Sequence, residues 1–90
     1  MTEVKQLIVK GRVQGVYFRA HTQQQAQALG VVGFVRNLPN GDVEAVACGD
    51  NDAVQQLIRW CHRGPMLANV TEVRVEPYRG HEIFDAFDIR

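Results

Sequence analysis

Val9-Lys10-Gly11-Arg12-Val13-Gln14-Gly15-Val16-Tyr17-Phe18-Arg19 joins an apolar run to a following segment free of glycine and proline. The change of pattern marks a β-strand that passes through a tight turn into an α-helix. Gly15 permits a positive φ, so the turn can curl until successive main-chain N–H groups point at one guest. The helix start adds partial positive charge, and Arg19 brings a planar fork of donors suited to phosphate oxygens. The stretch therefore reads as an anion site built on a β-then-α opening.

Working outward, residues 4 to 13 are rich in Val, Ile and Leu and read as a strand with both faces at least partly covered. Residues 19 to 29 place Thr22, Ala26 and Leu29 on one helical stripe, and Gly30 ends the helix. Val31 to Asn37 is β-branched and aromatic, and Leu38-Pro39-Asn40-Gly41 turns the chain. Asp42 to Cys48 then alternates Val43, Ala45 and Ala47 with Asp42, Glu44 and Val46, so the two runs make a hairpin. Asp50, Asn51 or Asp52 is placed to cap a second helix whose stripe is Val54, Leu57, Ile58 and Cys61, with Gly64 and Pro65 as its stop. Val70 to Val75 predicts a fourth strand. After a break from Pro77 to Gly80, Phe84 to Ile89 leaves room for a short fifth one with Phe87 and Ile89 facing inward. The order β-α-β-β-α-β predicts an α+β, ferredoxin-like sandwich over residues 1–90: one domain, a four-stranded antiparallel sheet, and two helices on one face.

Composition narrows the function classes. Ten basic and ten acidic residues cancel, which removes the cationic excess that draws a protein to nucleic acid. The short apolar stretch between Lys5 and Lys10 cannot form a signal-peptide core or a membrane span, so a cytoplasmic protein with no membrane partner is expected. Cys48 and Cys61 are read as free thiols, buried or half-buried. With His21 and His62 they lack Cys-x-x-Cys or His-x-x-x-His spacing, so no metal is expected. His21 and His62 read as helix-surface residues, His81 as part of a polar loop, and Trp60 and Tyr78 as packing residues.

Gly33-Phe34-Val35-Arg36-Asn37-Leu38-Pro39-Asn40-Gly41-Asp42-Val43 is a second unusual stretch. With Gly11 to Arg19 it resembles the acylphosphatase family: the first segment matches Gly-x-Val-Gln-Gly-Val-x-Phe-Arg, the second Gly-aromatic-small-basic-Asn-x-x-x-Gly-x-Val. The resemblance covers essentially the whole chain. It implies an enzyme that hydrolyses the carboxyl–phosphate anhydride of small-molecule acyl phosphates without cofactor. It implies further that the main chain of Gln14, Gly15, Val16, Tyr17 and Phe18, together with Arg19, holds the phosphoryl group, while Asn37 orients the attacking water. The Tyr17 position commonly carries glycine in the family, and Leu38 stands where some members place threonine. One of Tyr17 and Phe18 is expected to pack beneath the loop while the other lines the pocket mouth. A monomer is expected.

Two rival readings are weaker. RNA-recognition modules share the element order and a Gly-Phe-Val motif, echoed by Gly33-Phe34-Val35, but theirs lies on the third strand with more aromatics and basic flanks. A non-catalytic phosphate-binding relative is disfavoured by the presence of both Arg19 and Asn37.

Overall fold

The β-branched opening of the chain forms β1 (Thr2–Arg12), and the glycine-bearing loop after it leads into α1 (Phe18–Leu29). The hairpin follows as β2 (Val32–Asn37) and β3 (Val43–Asp50), then α2 (Asn51–Arg63), β4 (Asn69–Pro77) and β5 (Phe87–Ile89). The computed structural model covers residues 1–90. Its sheet has the order β4-β1-β3-β2-β5, so β1 and β3 are central while β4 and β5 are the edges.

The Val43, Ala45 and Ala47 set read from the alternation of β3 faces the core, although the intervening Glu44 and Val46 are buried as well, on the other face of the sheet. Leu7 and Val9 of β1, Val35 of β2 and Val43, Ala45 and Ala47 of β3 are fully buried, and they share one core with Phe18 and Ala26 of α1 and Val54, Leu57, Ile58 and Cys61 of α2. Withdrawing a Leu, Val or Phe side chain of this layer from water stabilises the fold by about 1.5–3 kcal/mol each. Phe18 stacks obliquely on Trp60, with ring centroids 5.5 Å apart, and so ties the start of α1 to the end of α2.

The opposite face of the sheet is crossed by the segment between β4 and β5. Phe84 packs between Phe34 (5.9 Å) and Tyr78 (5.8 Å), and the Arg90 guanidinium lies 4.1 Å over the Phe34 ring while pairing with Glu82. On the same face Glu44 is nearly buried, with one carboxylate oxygen accepting from Gln6 Nε2 and the other from Arg36 Nε, each at 2.5 Å. Each oxygen of the buried carboxylate thereby has a donor, one of them a cation, which is what makes its burial tolerable.

Three details differ from the sequence-based expectations. The sheet is mixed and five-stranded, because the crossing segment delivers β5 beside β2 in the same direction, with Gly33 opposite Phe87 and Val35 opposite Ile89. Helix α1 starts one residue earlier, at Phe18. Asp50 occupies the N-cap of α2 but makes no side-chain cap; its carboxylate instead accepts from the Met1 ammonium at 3.3 Å. The favourable charge in the first turn of α2 comes from Asp52.

Gly33 has φ 140°, and a Cβ there would run into the Val46 carbonyl of β3. Backbone strain and a collision with main chain act together, so Gly33→Ala is expected to lower stability by at least about 2 kcal/mol. Urea unfolding should show this as a lower midpoint with an unchanged slope; an unchanged midpoint would mean that β2 and β3 can part without cost.

Candidate active site

Between β1 and α1 the chain makes a loop containing two left-handed residues, Gly15 (φ 74°) and Tyr17 (φ 63°), separated by Val16. Tyr17 is the one non-glycine residue of the chain with a positive φ. A side chain held there costs about 1–2 kcal/mol, so the surrounding structure must enforce it. Left-handed residues in a tight loop turn nearby N–H groups toward one concavity. The amides of Gln14, Gly15, Val16 and Tyr17 donate to no main-chain carbonyl. Tyr17 is also the N-cap of α1, where it supplies no capping side chain, and the first turn of the helix carries no acidic residue. The positive end of the helix dipole is thus left uncompensated beside the loop.

A cleft of about 390 Å³ opens at this point, lined by Val13, Gly15, Tyr17, Phe18, Arg19, Ala20, Asn37 and Ile89. The fold brings these residues together from four places: the loop, the first turn of α1, the last residue of β2 and the end of β5. Arg19 forms no salt bridge; its Nη1 has one long contact, 3.4 Å, to the Arg90 carbonyl oxygen. Its guanidinium therefore keeps most of its five donors for a guest.

Of the residues singled out from sequence, Gly15, Tyr17, Phe18, Arg19 and Asn37 line the cleft. Tyr17 is 72 % exposed at its mouth, whereas Phe18 is 1 % exposed and anchors the loop in the core. Val16 is buried, so it can offer the cleft only its main chain. Gln14 turns away: its Nε2 donates to the Leu38 carbonyl at 2.8 Å and the Asp42 carbonyl at 2.9 Å. The sequence reading did not include Val13, Ala20 and Ile89. The sequence pattern predicts Ile89 facing inward on a short strand with Phe87; Phe87 is buried, but Ile89 is 42 % exposed and lies at the cleft instead of in the core.

The turn that follows Asn37 is braced from β1. Lys10 Nζ lies 2.6 Å from Asp42 Oδ2, and Asn40 Nδ2 lies 3.1 Å from the same oxygen. The Lys10 hydrogen bond, reinforced by its charge and by Asn40, holds the Asp42 carboxyl below the usual carboxylate range. Elsewhere, Cys48 and Cys61 are both free, and burial pushes the Cys61 thiol up to about 12, which leaves it protonated and unreactive at neutral pH. No helix is long and apolar enough to cross a membrane.

The chain is similar to known proteins along nearly its whole length. The family model described as Acylphosphatase matches residues 5–89. The chain is 54 % identical over 84 residues to an acylphosphatase of Geobacter sulfurreducens, covering 91 % of this chain and 90 % of that protein. It is 53 % identical over 87 residues to one from Aeropyrum pernix, covering 93 % and 84 % respectively. Among solved structures, an acylphosphatase from Coxiella burnetii superimposes with a TM-score of 0.92 at 38 % identity, over 99 % of this chain and 93 % of the other. A match that runs nearly end to end in both sequence and fold leads to one conclusion: the protein belongs to the acylphosphatase family, hydrolases that act on acyl phosphates.

Proposed function

We propose that the cleft between Gly15, Arg19 and Asn37 hydrolyses the carboxyl–phosphate anhydride of acyl phosphates without a metal ion. The protein would act as a monomeric cytoplasmic enzyme in which residues 1–90 form one catalytic domain. The observation that carries this reading is the meeting, in one cleft, of a loop with unpaired amides, an arginine free of carboxylate partners and an asparagine side chain.

The loop amides from Gln14 to Phe18 and the Arg19 guanidinium bind the phosphoryl oxygens. Each charge-assisted bond is worth about 1.5–3 kcal/mol, and more of that is realised as charge spreads over the equatorial oxygens in the transition state. Asn37 accepts from and donates to the attacking water, holding it in line with the scissile bond and so lowering the entropic barrier. The leaving carboxylate has a pKa near ~4 and departs unprotonated, so no general acid is needed. An amide cannot take the proton of the water, which passes to a phosphoryl oxygen. Charge stabilisation comes from amides and guanidinium, so the chemistry asks for no Lewis acid.

Three measurements test the assignment. Release of inorganic phosphate from benzoyl phosphate, with chelator present, is expected to be fast in the wild-type chain and about 100-fold slower or worse in Asn37→Ala. Wild-type turnover in that variant would remove Asn37 from the mechanism. Arg19→Lys keeps the charge and loses the fork, so kcat/KM should fall roughly 10- to 100-fold, the equivalent of one charge-assisted bond. Unchanged kinetics would assign phosphate binding elsewhere. Because an amide does not titrate and a guanidinium keeps its proton, kcat should stay flat across about pH 6 to 8 once substrate ionisation is allowed for. A bell with a limb in that window would demand a titrating catalyst.

A further inference from the structure

The geometry points to the side chain of Gln14 as a positioning residue that sets Asn37 against the phosphoryl group, an inference that rests on the reading of Asn37 as the water-orienting group. Gln14 belongs to the loop, yet its amide reaches across to the β2–β3 turn and bridges both ends of it, donating to the Leu38 carbonyl at 2.8 Å and the Asp42 carbonyl at 2.9 Å. Both partners are acceptors only, so it is the nitrogen of the amide that faces them.

These two carbonyls also define the turn itself. The Asp42 oxygen accepts from the Leu38 N–H at 2.8 Å, and the Leu38 oxygen accepts from the Gly41 N–H at 3.2 Å. Gln14 thus fills the remaining acceptor sites of a turn already closed by its own hydrogen bonds. Asn37 is the residue immediately before Leu38 and pairs with Val43, immediately after Asp42. Two donors from one side chain therefore hold the two main-chain positions that flank the Asn37–Val43 pair. The phosphate cradle and the water-orienting amide come from separate elements, and Gln14 is the direct link between them; the Lys10–Asp42 contact at 2.6 Å braces the same turn from the strand side.

Phosphate binding depends on the loop and Arg19, whereas attack depends on where Asn37 stands relative to them. Loss of the tie should therefore leave phosphate affinity intact and slow the chemical step. A displacement of about 1 Å at a reacting centre costs on the order of 100-fold, so partial loss of the tie is expected to lower kcat about 10- to 100-fold.

The experiment is a double-mutant cycle on hydrolysis of benzoyl phosphate in wild type, Gln14→Met, Asn37→Ala and the double variant. It reads kcat and the competitive inhibition constant of inorganic phosphate, with cooperative urea unfolding checked for each protein. Gln14→Met is expected to lower kcat, to leave inhibition by phosphate unchanged, and to add no further loss in the Asn37→Ala background. Phosphate inhibition weakened in step with kcat, or losses that multiply, would overturn the proposal, because Gln14 would then act on the loop or on the fold at large. Wild-type kcat in Gln14→Met beside an impaired Asn37→Ala would overturn the proposal alone. Wild-type kcat in Asn37→Ala would instead overturn the reading beneath it, and the proposal with it. Should Gln14→Met fail to unfold cooperatively, Gln14→Asn takes its place with the same expectations, since its amide is one methylene too short to span both carbonyls.

Discussion

The register of β1 against β3 is the constraint on which the rest of this protein depends. Val9 stands opposite Val43, so the chain leaving β1 and the chain entering β3 emerge together at the same end of the sheet. The first of these becomes the loop of residues 13–17 and the second is the turn of residues 38–42. Their adjacency is what allows Lys10 and Gln14 to reach Asp42 and Leu38. A slip of one residue would turn Leu7 and Val9 out of the core and part the loop from the turn at the same stroke. Core packing and site assembly are thus two readings of a single register.

Within that frame the site is made mostly of main chain. An amide has no rotamers to order and no proton to lose, so a cradle of amides is organised as soon as the loop is folded. The strain sits at Tyr17, whose left-handed backbone is held between the buried Val16 and Phe18. Phe18 serves both halves of the molecule: its ring packs on Trp60 while its main chain closes the loop. A change in the α1–α2 contact would be felt at the cleft although no residue of α2 lines it.

Much of this could be read from the residues alone, because it rests on short-range rules. The helical stripes through Thr22 and Ala26 and through Val54, Leu57, Ile58 and Cys61 are buried as their spacing predicts. The two motif segments run through the loop and the hairpin that meet at the cleft. What could not be read depends on partners distant in sequence. A short final strand could be read between Phe84 and Ile89, but not that it lies parallel beside β2, because its place is set by a crossing segment held by Phe34, Phe84 and Arg90. Asp50 has the right place for a cap, yet the Met1 ammonium, 49 residues away, competes for its carboxylate. The reach of Gln14 across 24 residues to Leu38 leaves no local mark either. Short-range pattern identifies the elements and the motif residues; the side chains that lock elements together become visible only in three dimensions.

The two edges of the sheet carry a consequence for how copies of this chain behave at high concentration. Strand β4 presents Glu72, Arg74 and Glu76 and ends in Pro77, while β5 offers only three residues. Charged side chains, a missing donor and a short ladder all make poor templates for a foreign strand. With ten positive and ten negative side chains, the molecule has little net repulsion to keep its neighbours apart near neutral pH. Resistance to edge-to-edge growth into fibrils therefore falls to the chemistry of these two edges rather than to overall charge, and neutralising the β4 edge would expose a hazard that the formal charge balance does nothing to contain.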